Sequence, residues 1–332
     1  MPRIAITRAL PSGAVARLEQ AGTVAFSPHP ERRLGRDELL QHVAGADALV
    51  TMLYDTVDGE LMDAAGDGLR VIANVAVGYD NIDVEAARSR GIAVANTPGV
   101  LTDATADLAF GLLLSVTRRL GEGERLIRRG DAWRWELDFM LGSGLQGQTI
   151  GIVGFGEIGR AVARRARAFG MDVVYSSRRP VPEAVEQEHG ARPLELDQLL
   201  ADAKVVSLHC PLTPATRHLI DAPALARMRP DAYLVNTARG PVVDEKALVR
   251  ALDAGEIAGA ALDVFEREPE VEAGLLTLEN VVLAPHLGSA THETRAAMAA
   301  LAAESVAAVL AGTQPPSLVE PDPVGRGDRA GE

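Results

Sequence analysis

The chain has 332 residues, 47% hydrophobic and 24% charged, with a formal net charge of -13, enough for two domains of ordinary size. So acidic a chain offers no basic stripe for nucleic acid or for an anionic membrane surface. Its one cysteine, Cys210, excludes an intrachain disulfide. No charged-then-apolar leader opens the chain and no apolar run reaches the ~18 residues of a membrane span, so a soluble cytoplasmic protein is expected.

In chain order, residues 3–7 read as a strand, 13–21 as a helix, 23–26 as a strand, 37–43 as a helix, and 48–52, 69–73 and 92–94 as three more strands. This alternation predicts a flavodoxin-like parallel sheet. The loop Asn74-Val75-Ala76-Val77-Gly78-Tyr79-Asp80 follows the fourth strand. Its small residues suit either an anion-binding nest of backbone N–H groups or an ordinary turn. Residues 102–120 form one long helix, apolar on several sides through Leu108, Phe110, Leu112, Leu113, Leu114 and Val116. That predicts burial between domains or at a subunit interface. The two tryptophans, Trp133 and Trp135, fall in a loop-like stretch over 130–147.

The chain then reaches its most informative segment. An apolar run over 149–153 leads into Gly154-Phe155-Gly156-Glu157-Ile158-Gly159, and a helix follows through Phe169. A G-x-G-x-x-G between strand and helix predicts dinucleotide binding. The first glycine allows the turn, the second the approach of backbone to a pyrophosphate, and the third close helix packing. The next strand ends in Ser176-Ser177-Arg178-Arg179, about 20 residues past the glycines, where an NAD-binding chain usually carries Asp or Glu for the ribose hydroxyls. Two hydroxyls and two guanidiniums there favour the 2′-phosphate of NADP(H), with NAD(H) also possible. The plain alternative is a solvated arginine loop.

Strands follow at 205–208, 233–236, 260–264 and 281–284, helices at 244–253 and 292–311, and a disordered tail from 319. The glycine motif begins mid-chain and the final helix comes after the dinucleotide unit is complete. The expected plan is therefore two Rossmann-like or flavodoxin-like α/β domains with an inter-domain cleft: a discontinuous substrate domain, 1–98 with 289–318, and an inserted NAD(P)-binding domain, 99–288.

Polar residues recur just past strand ends in the second domain: Arg239, Asp263 with Glu268, and His286. Singly these read as a surface ion pair, a helix start and a turn residue. Together, past three successive strands, they suit carbonyl reduction. A histidine supplies the proton, a carboxylate orients it, and an arginine grips a substrate carboxylate. His189 and His218 read as residues flanking polar loops. No H-E-x-x-H or C-x-x-C spacing occurs, so no metal is expected. The first-domain loops display no cluster of cations in the sequence.

The motifs together resemble the D-isomer-specific 2-hydroxyacid dehydrogenases, in particular the glyoxylate/hydroxypyruvate reductase branch. They are residues 74–83, 151–159, His209-Cys210-Pro211-Leu212-Thr213, Asn236-Thr237-Ala238-Arg239-Gly240, Leu262-Asp263-Val264-Phe265 with Glu268-Pro269, and Pro285-His286-Leu287-Gly288-Ser289-Ala290. The resemblance implies Arg239 as substrate anchor, Glu268 as partner of the histidine, and His286 as acid/base. It further implies that Ala76, Val77 and Gly78, with Leu53, meet the substrate. Thr105, Cys210, Pro211, Thr237, Ala238, Asp263 and Gly288 join the glycine loop in holding the cofactor. It also implies a homodimer, with Trp135 reaching the partner's site. The expected substrate is a small 2-oxoacid or 2-hydroxyacid, and no nucleic-acid or membrane partner is expected. Rival readings are a 3-phosphoglycerate dehydrogenase or another D-2-hydroxyacid dehydrogenase, and, outside enzymes, an NAD(H)-sensing corepressor-like protein.

Overall fold

A computed structural model describes residues 1–320. The chain forms two compact units, Met1–Leu101 together with the chain from Thr291 onward, and Thr102–Ala290. Among the described residues, twelve strands divide between them: β1 (Arg3–Ile6), β2 (Thr23–Ala25), β3 (Ala48–Thr51), β4 (Val71–Asn74) and β5 (Ala93–Ala95) in the first, and β6 (Thr149–Val153), β7 (Asp172–Ser176), β8 (Ala191–Pro193), β9 (Val205–Leu208), β10 (Tyr233–Asn236), β11 (Gly259–Leu262) and β12 (Val281–Leu283) in the second.

The first sheet has order β2-β1-β3-β4-β5, all parallel, the flavodoxin-like order. Its strands are apolar except at their ends, at Arg3, Thr23, Thr51 and Asn74, because both faces are covered. Alternation sends Ile4, Ile6, Ala48, Val50, Val71 and Ala73 to one face, and Ala5, Leu49 and Ile72 to the other. The helices Ser12–Ala21 and His292–Leu310 supply the first face with Leu18, Ala299, Ala302, Ala303 and Val306. Beyond that helix, Val319 donates its backbone N–H to Val94 O at 2.8 Å. The first residue of the expected tail is thus tied to the first sheet, and 321–332 of that expectation lie outside the described residues.

The second sheet has order β12-β11-β10-β9-β6-β7-β8, again all parallel. The chain runs outward from β6 through β7 to β8, then restarts beside β6 at β9 and runs the other way. The β6/β9 junction is therefore the topological switch point, where ligands bind doubly wound sheets.

The expected 102–120 helix stops at Thr117, because Arg119 adopts a left-handed φ of +54° and a second helix, Leu120–Arg129, starts afresh. Part of its apolar surface is satisfied within its own unit. Ala106, Ala109, Phe110, Leu113 and Val116 join the second unit's own core with Val162, Ala166, Val235 and Ala261.

Candidate active site

Glycine geometry builds the switch point. Gly154 has φ +93°, and a Cβ there would lie 2.6 Å from Cys210 N, so only glycine lets the β6 turn touch the loop after β9. A Cβ on Gly159 would lie 2.2 Å from Gly154 O. Gly156 has open space around its Cβ position and heads the helix Glu157–Ala168, with no side chain capping it. The first-turn N–H groups and the helix dipole are thus available to an anion. Two enclosed polar atoms beyond the adjacent strands β9 and β10, His209 Nδ1 and Thr237 Oγ1, have no protein partner. This edge fits a dinucleotide.

Phe155 contributes to that loop by its backbone only. Its ring is buried, stacked on Tyr175 at 4.4 Å with His189 edge-on. His189 is itself buried, with Nδ1 2.9 Å from Val185 O, a correction to its reading as a loop residue. Glu157 and Ile158 lie in the first turn of the helix, where Glu157 Oε2 accepts from Thr102 Oγ1 at 3.3 Å. Ser176 O accepts from Gly154 N at 2.8 Å, so the end of β7 lies against the glycine turn. Ser177 Oγ donates to Arg179 O at 2.6 Å. It closes the turn that displays Arg178 and Arg179, and its proton is committed there.

The reactive groups line the same edge. His286 Nδ1 donates to Glu268 Oε2 at 2.8 Å, and Glu268 Oε1 accepts from Phe265 N at 3.0 Å. Both side chains are largely enclosed, 26% and 29% exposed. Burial alone would push the Glu268 carboxyl up. The hydrogen bond and charge of His286, the Phe265 N–H and the Arg239 guanidinium outweigh it and hold Glu268 below its usual range. With Nδ1 held this way, the tautomer leaves Nε2 for proton exchange.

Arg239 Nη1 donates to Ala238 O at 2.8 Å. Its loop is clamped by Asn236, whose Oδ1 accepts from Ala238 N and whose Nδ2 donates to Arg239 O. Gly240 sets the distance to the Glu268 loop, for a Cβ there would lie 1.9 Å from Phe265 C. Beneath them His218 Nε2 meets Glu266 Oε1 at 2.8 Å, and Glu266 N donates to buried Glu245 at 2.7 Å. His218 is therefore part of the support of this loop. The sequence reading gave these supporting roles to none of Asn236, Gly240, His218 and Glu266. An amide ending a strand and a glycine directly after an arginine were the available signals.

Asp263 is fully buried, and its carboxylate accepts from Leu287 N at 2.6 Å and Gly288 N at 2.8 Å. His286 N donates to Asp263 O at 2.8 Å. Asp263 therefore fixes the backbone of the His286 loop, while Glu268 is the carboxylate on the imidazole. Thr105 Oγ1 donates to Gly288 O at 3.1 Å and braces the same loop. Burial pushes the Cys210 thiol up to about 11 and His209 down to about 4. The Cys210 thiol is inert near neutrality and His209 is uncharged there. Pro211 O is taken by Thr216 Oγ1 at 2.7 Å.

In the first unit, Asn74 Nδ2 donates to Gly78 O at 3.0 Å, and Asn96 Nδ2 to Val77 O at 2.8 Å. Both carbonyls are tied down, while the N–H groups of Ala76, Val77 and Gly78 have no acceptor among the described residues. That is the arrangement of an anion nest. Leu53 is half-buried after β3, and Trp135 is 76% exposed in the stretch after Arg129. Among the described residues no group of His, Cys, Asp and Glu is arranged to hold a metal ion, and no helix is long and apolar enough to cross a membrane.

The chain is similar to known proteins. The family model described as D-isomer specific 2-hydroxyacid dehydrogenase, NAD binding domain, matches residues 110–288. A glyoxylate reductase of Thermococcus litoralis is 50% identical over 326 residues, 97% of each chain. A Thermus thermophilus protein of known structure matches with a TM-score of 0.89 at 48% identity, over 96% of this chain and 100% of its own. The NADPH-dependent glyoxylate/hydroxypyruvate reductase of Sinorhizobium meliloti, solved with NADP and malonate, matches at 0.83 and 34%, over 96% of each chain.

Proposed function

The chain belongs to the D-isomer specific 2-hydroxyacid dehydrogenases, and on that basis we propose that it reduces glyoxylate and hydroxypyruvate with NADPH in preference to NADH. The observation that carries the reaction type is the His286–Glu268 pair beside Arg239, at the edge of a sheet whose switch point is shaped for a dinucleotide. The bound reduced nicotinamide supplies a hydride to the 2-oxo carbon. His286, its Nδ1 held by Glu268, gives a proton from Nε2 to the carbonyl oxygen. Glu268 stabilises the imidazolium before transfer and keeps the ring oriented. Arg239 pairs with the substrate carboxylate and polarises the carbonyl. In the first unit the amides of Ala76, Val77 and Gly78 form a nest for a substrate carboxylate, with Leu53 as an apolar neighbour, and Trp135 is read as meeting the substrate of a partner subunit.

The cofactor preference rests on Ser176, Arg178 and Arg179, in a stretch, 176–179, that itself carries no Asp or Glu to repel a 2′-phosphate. A homodimer completes the reading. It is supported by the apolar residues exposed after Thr117: Leu120, Ile127, Trp133, Trp135, Leu137 and Leu141, more than a monomer usually leaves in water. We place the enzyme in the cytoplasm, with the reduced nucleotide pool.

The test is loss of NADPH absorbance with glyoxylate and hydroxypyruvate, repeated with NADH. Turnover with a higher kcat/KM for NADPH is expected. No turnover on any 2-oxoacid refutes the activity, and a preference for NADH refutes the Arg178/Arg179 argument alone. His286→Ala should lose about 10²–10⁴-fold in kcat while NADPH binding, followed by fluorescence, stays near that of the parent protein.

A further inference from the structure

The first unit gathers two arginines that the sequence keeps 25 positions apart, correcting the expectation that its loops hold no cation cluster. Arg8 directly follows Thr7 at the end of β1. Thr7 Oγ1 donates to Asp55 Oδ2 at 2.6 Å, tying that end to the loop after β3. Arg8 Nη2 donates to Glu31 O at 3.0 Å and so pulls in the segment between β2 and the helix Arg36–Val43. From that segment the Arg33 guanidinium lies over the Tyr54 ring, 5.4 Å from its centroid.

Neighbouring arginines are neutralised locally, Arg32 by Glu38 at 2.6 Å and Arg36 by Asp58 at 2.6 Å. Arg8 and Arg33 have no ion pair among the described residues, and Arg8 Nη1 is enclosed without any acceptor. The nearby acids are poor partners. Asp55 is 2% exposed, with Oδ2 committed to Thr7 and to Met52 N, and Glu31 turns its carboxylate to His29. Burial pushes the Tyr54 phenol and the Asp55 carboxyl up, and Arg8 and Arg33 pull both down. The field of both arginines therefore converges on the Tyr54 loop.

The sheet order puts this cluster in line with the anion nest. β1, β3 and β4 are consecutive neighbours, and their following loops carry Arg8, Leu53 with Tyr54, and Val77 with Gly78. Two strand spacings separate the first loop from the third by about 10 Å. The carboxyl carbons of a five-carbon dicarboxylic acid lie about 5 Å apart, from ordinary carbon–carbon bond lengths. An acid with one carboxylate in the nest thus extends its second across the β3 loop, within reach of long arginine side chains.

We propose that Arg8 and Arg33, the latter set on Tyr54, form a subsite for a second carboxylate on the substrate, and that the enzyme also reduces dicarboxylic 2-oxoacids such as 2-oxoglutarate. This rests on the reading that the amides of Val77 and Gly78 hold the first carboxylate. The chemistry is unchanged. C2 gains the hydride, the former carbonyl oxygen gains one proton, the nicotinamide is oxidised by two electrons, and 2-hydroxyglutarate results. Guanidinium forks suit a planar carboxylate, and a monocarboxylic chain of equal length would leave both charges without a partner.

The test compares 2-oxoglutarate with 2-oxovalerate, which has the same carbon number and a methyl in place of the second carboxylate. Glyoxylate, which has no distal group, serves as the control. The wild-type protein should favour 2-oxoglutarate by about tenfold in kcat/KM, a preference lost in Arg33→Gln and reversed in Arg33→Glu. Equal values for the two acids, or a preference indifferent to Arg33 while glyoxylate kinetics stay normal, would overturn the subsite and leave Arg33 as surface packing on Tyr54. Should glyoxylate itself not turn over, the reductase reading fails separately. The subsite is then read from the Tm of the NADPH-loaded protein. A rise with 2-oxoglutarate that Arg33→Glu abolishes supports it, and no rise overturns it.

Discussion

His286 adopts φ +55°, a left-handed conformation uncommon outside glycine and asparagine. It is held there by its own N–H on Asp263 O and by the next two N–H groups on the Asp263 carboxylate. The strained backbone aims the imidazole at Glu268. Because Glu268 lies below its usual range, it is ionised at neutral pH and favours the protonated imidazole. Reduction takes that proton, so activity should fall toward alkaline pH. Replacing the carboxylate by an amide removes the favourable charge and makes the imidazolium less stable. Glu268→Gln should therefore lower kcat and move the alkaline fall in kcat/KM to lower pH. An unmoved fall, measured across a full pH series, would mean that Glu268 only positions the ring.

At the scale of elements, the site is an edge to which several loops are fastened. Asn236 clamps the Arg239 loop, Asp263 clamps the His286 loop, and Gly240 lets the first of these touch the backbone at Phe265. Backbone faces backbone at Gly240, so an added methyl has no flexible side chain to displace. Gly240→Ala should cost about 1–3 kcal/mol as overpacking, read as a lower Tm. It should also separate Arg239 from Glu268, raising KM for the 2-oxoacid more than KM for NADPH. Asp263→Asn turns one acceptor into a donor against Leu287 N or Gly288 N, at about 1–3 kcal/mol for the unsatisfied group. Its kcat should fall through loss of the His286 geometry while the Arg239 contribution to KM persists. If kcat and Tm both match the wild type, the loop does not depend on Asp263.

At the scale of the molecule, each unit is a parallel sheet covered on both faces, and the helix His292–Leu310 belongs to the core of the first. Half of the large apolar side chains left exposed among the described residues fall in the segment following Thr117, where Leu137 is 84% and Leu141 65% exposed. Placing charges there should oppose self-association without disturbing either core. The wild type is expected to sediment as a dimer and Leu137→Glu with Leu141→Glu as a folded monomer. A wild-type monomer at micromolar concentration would refute the homodimer.

The chain's local patterns were sufficient for the fold class, the dinucleotide turn and the positions of Arg239, Glu268 and His286. Strand alternation, the glycine spacing and polar residues just past strand ends are all short-range features, and parallel strands bring their ends to one edge whatever the detailed packing. Tertiary structure decided the rest, because it depends on contacts between distant segments. Only the folded chain turned the Phe155 ring inward on Tyr175 and buried the Thr102–Thr117 helix within its own unit. Only there did Asp263 take the backbone of the His286 loop. Arg8 and Arg33 likewise became a charged pair only once β1, β3 and the segment after β2 had assembled around Tyr54. Periodicity fixes which face a residue lies on. Which atoms meet across loops follows from long-range packing and hydrogen bonding, and no local pattern encodes that.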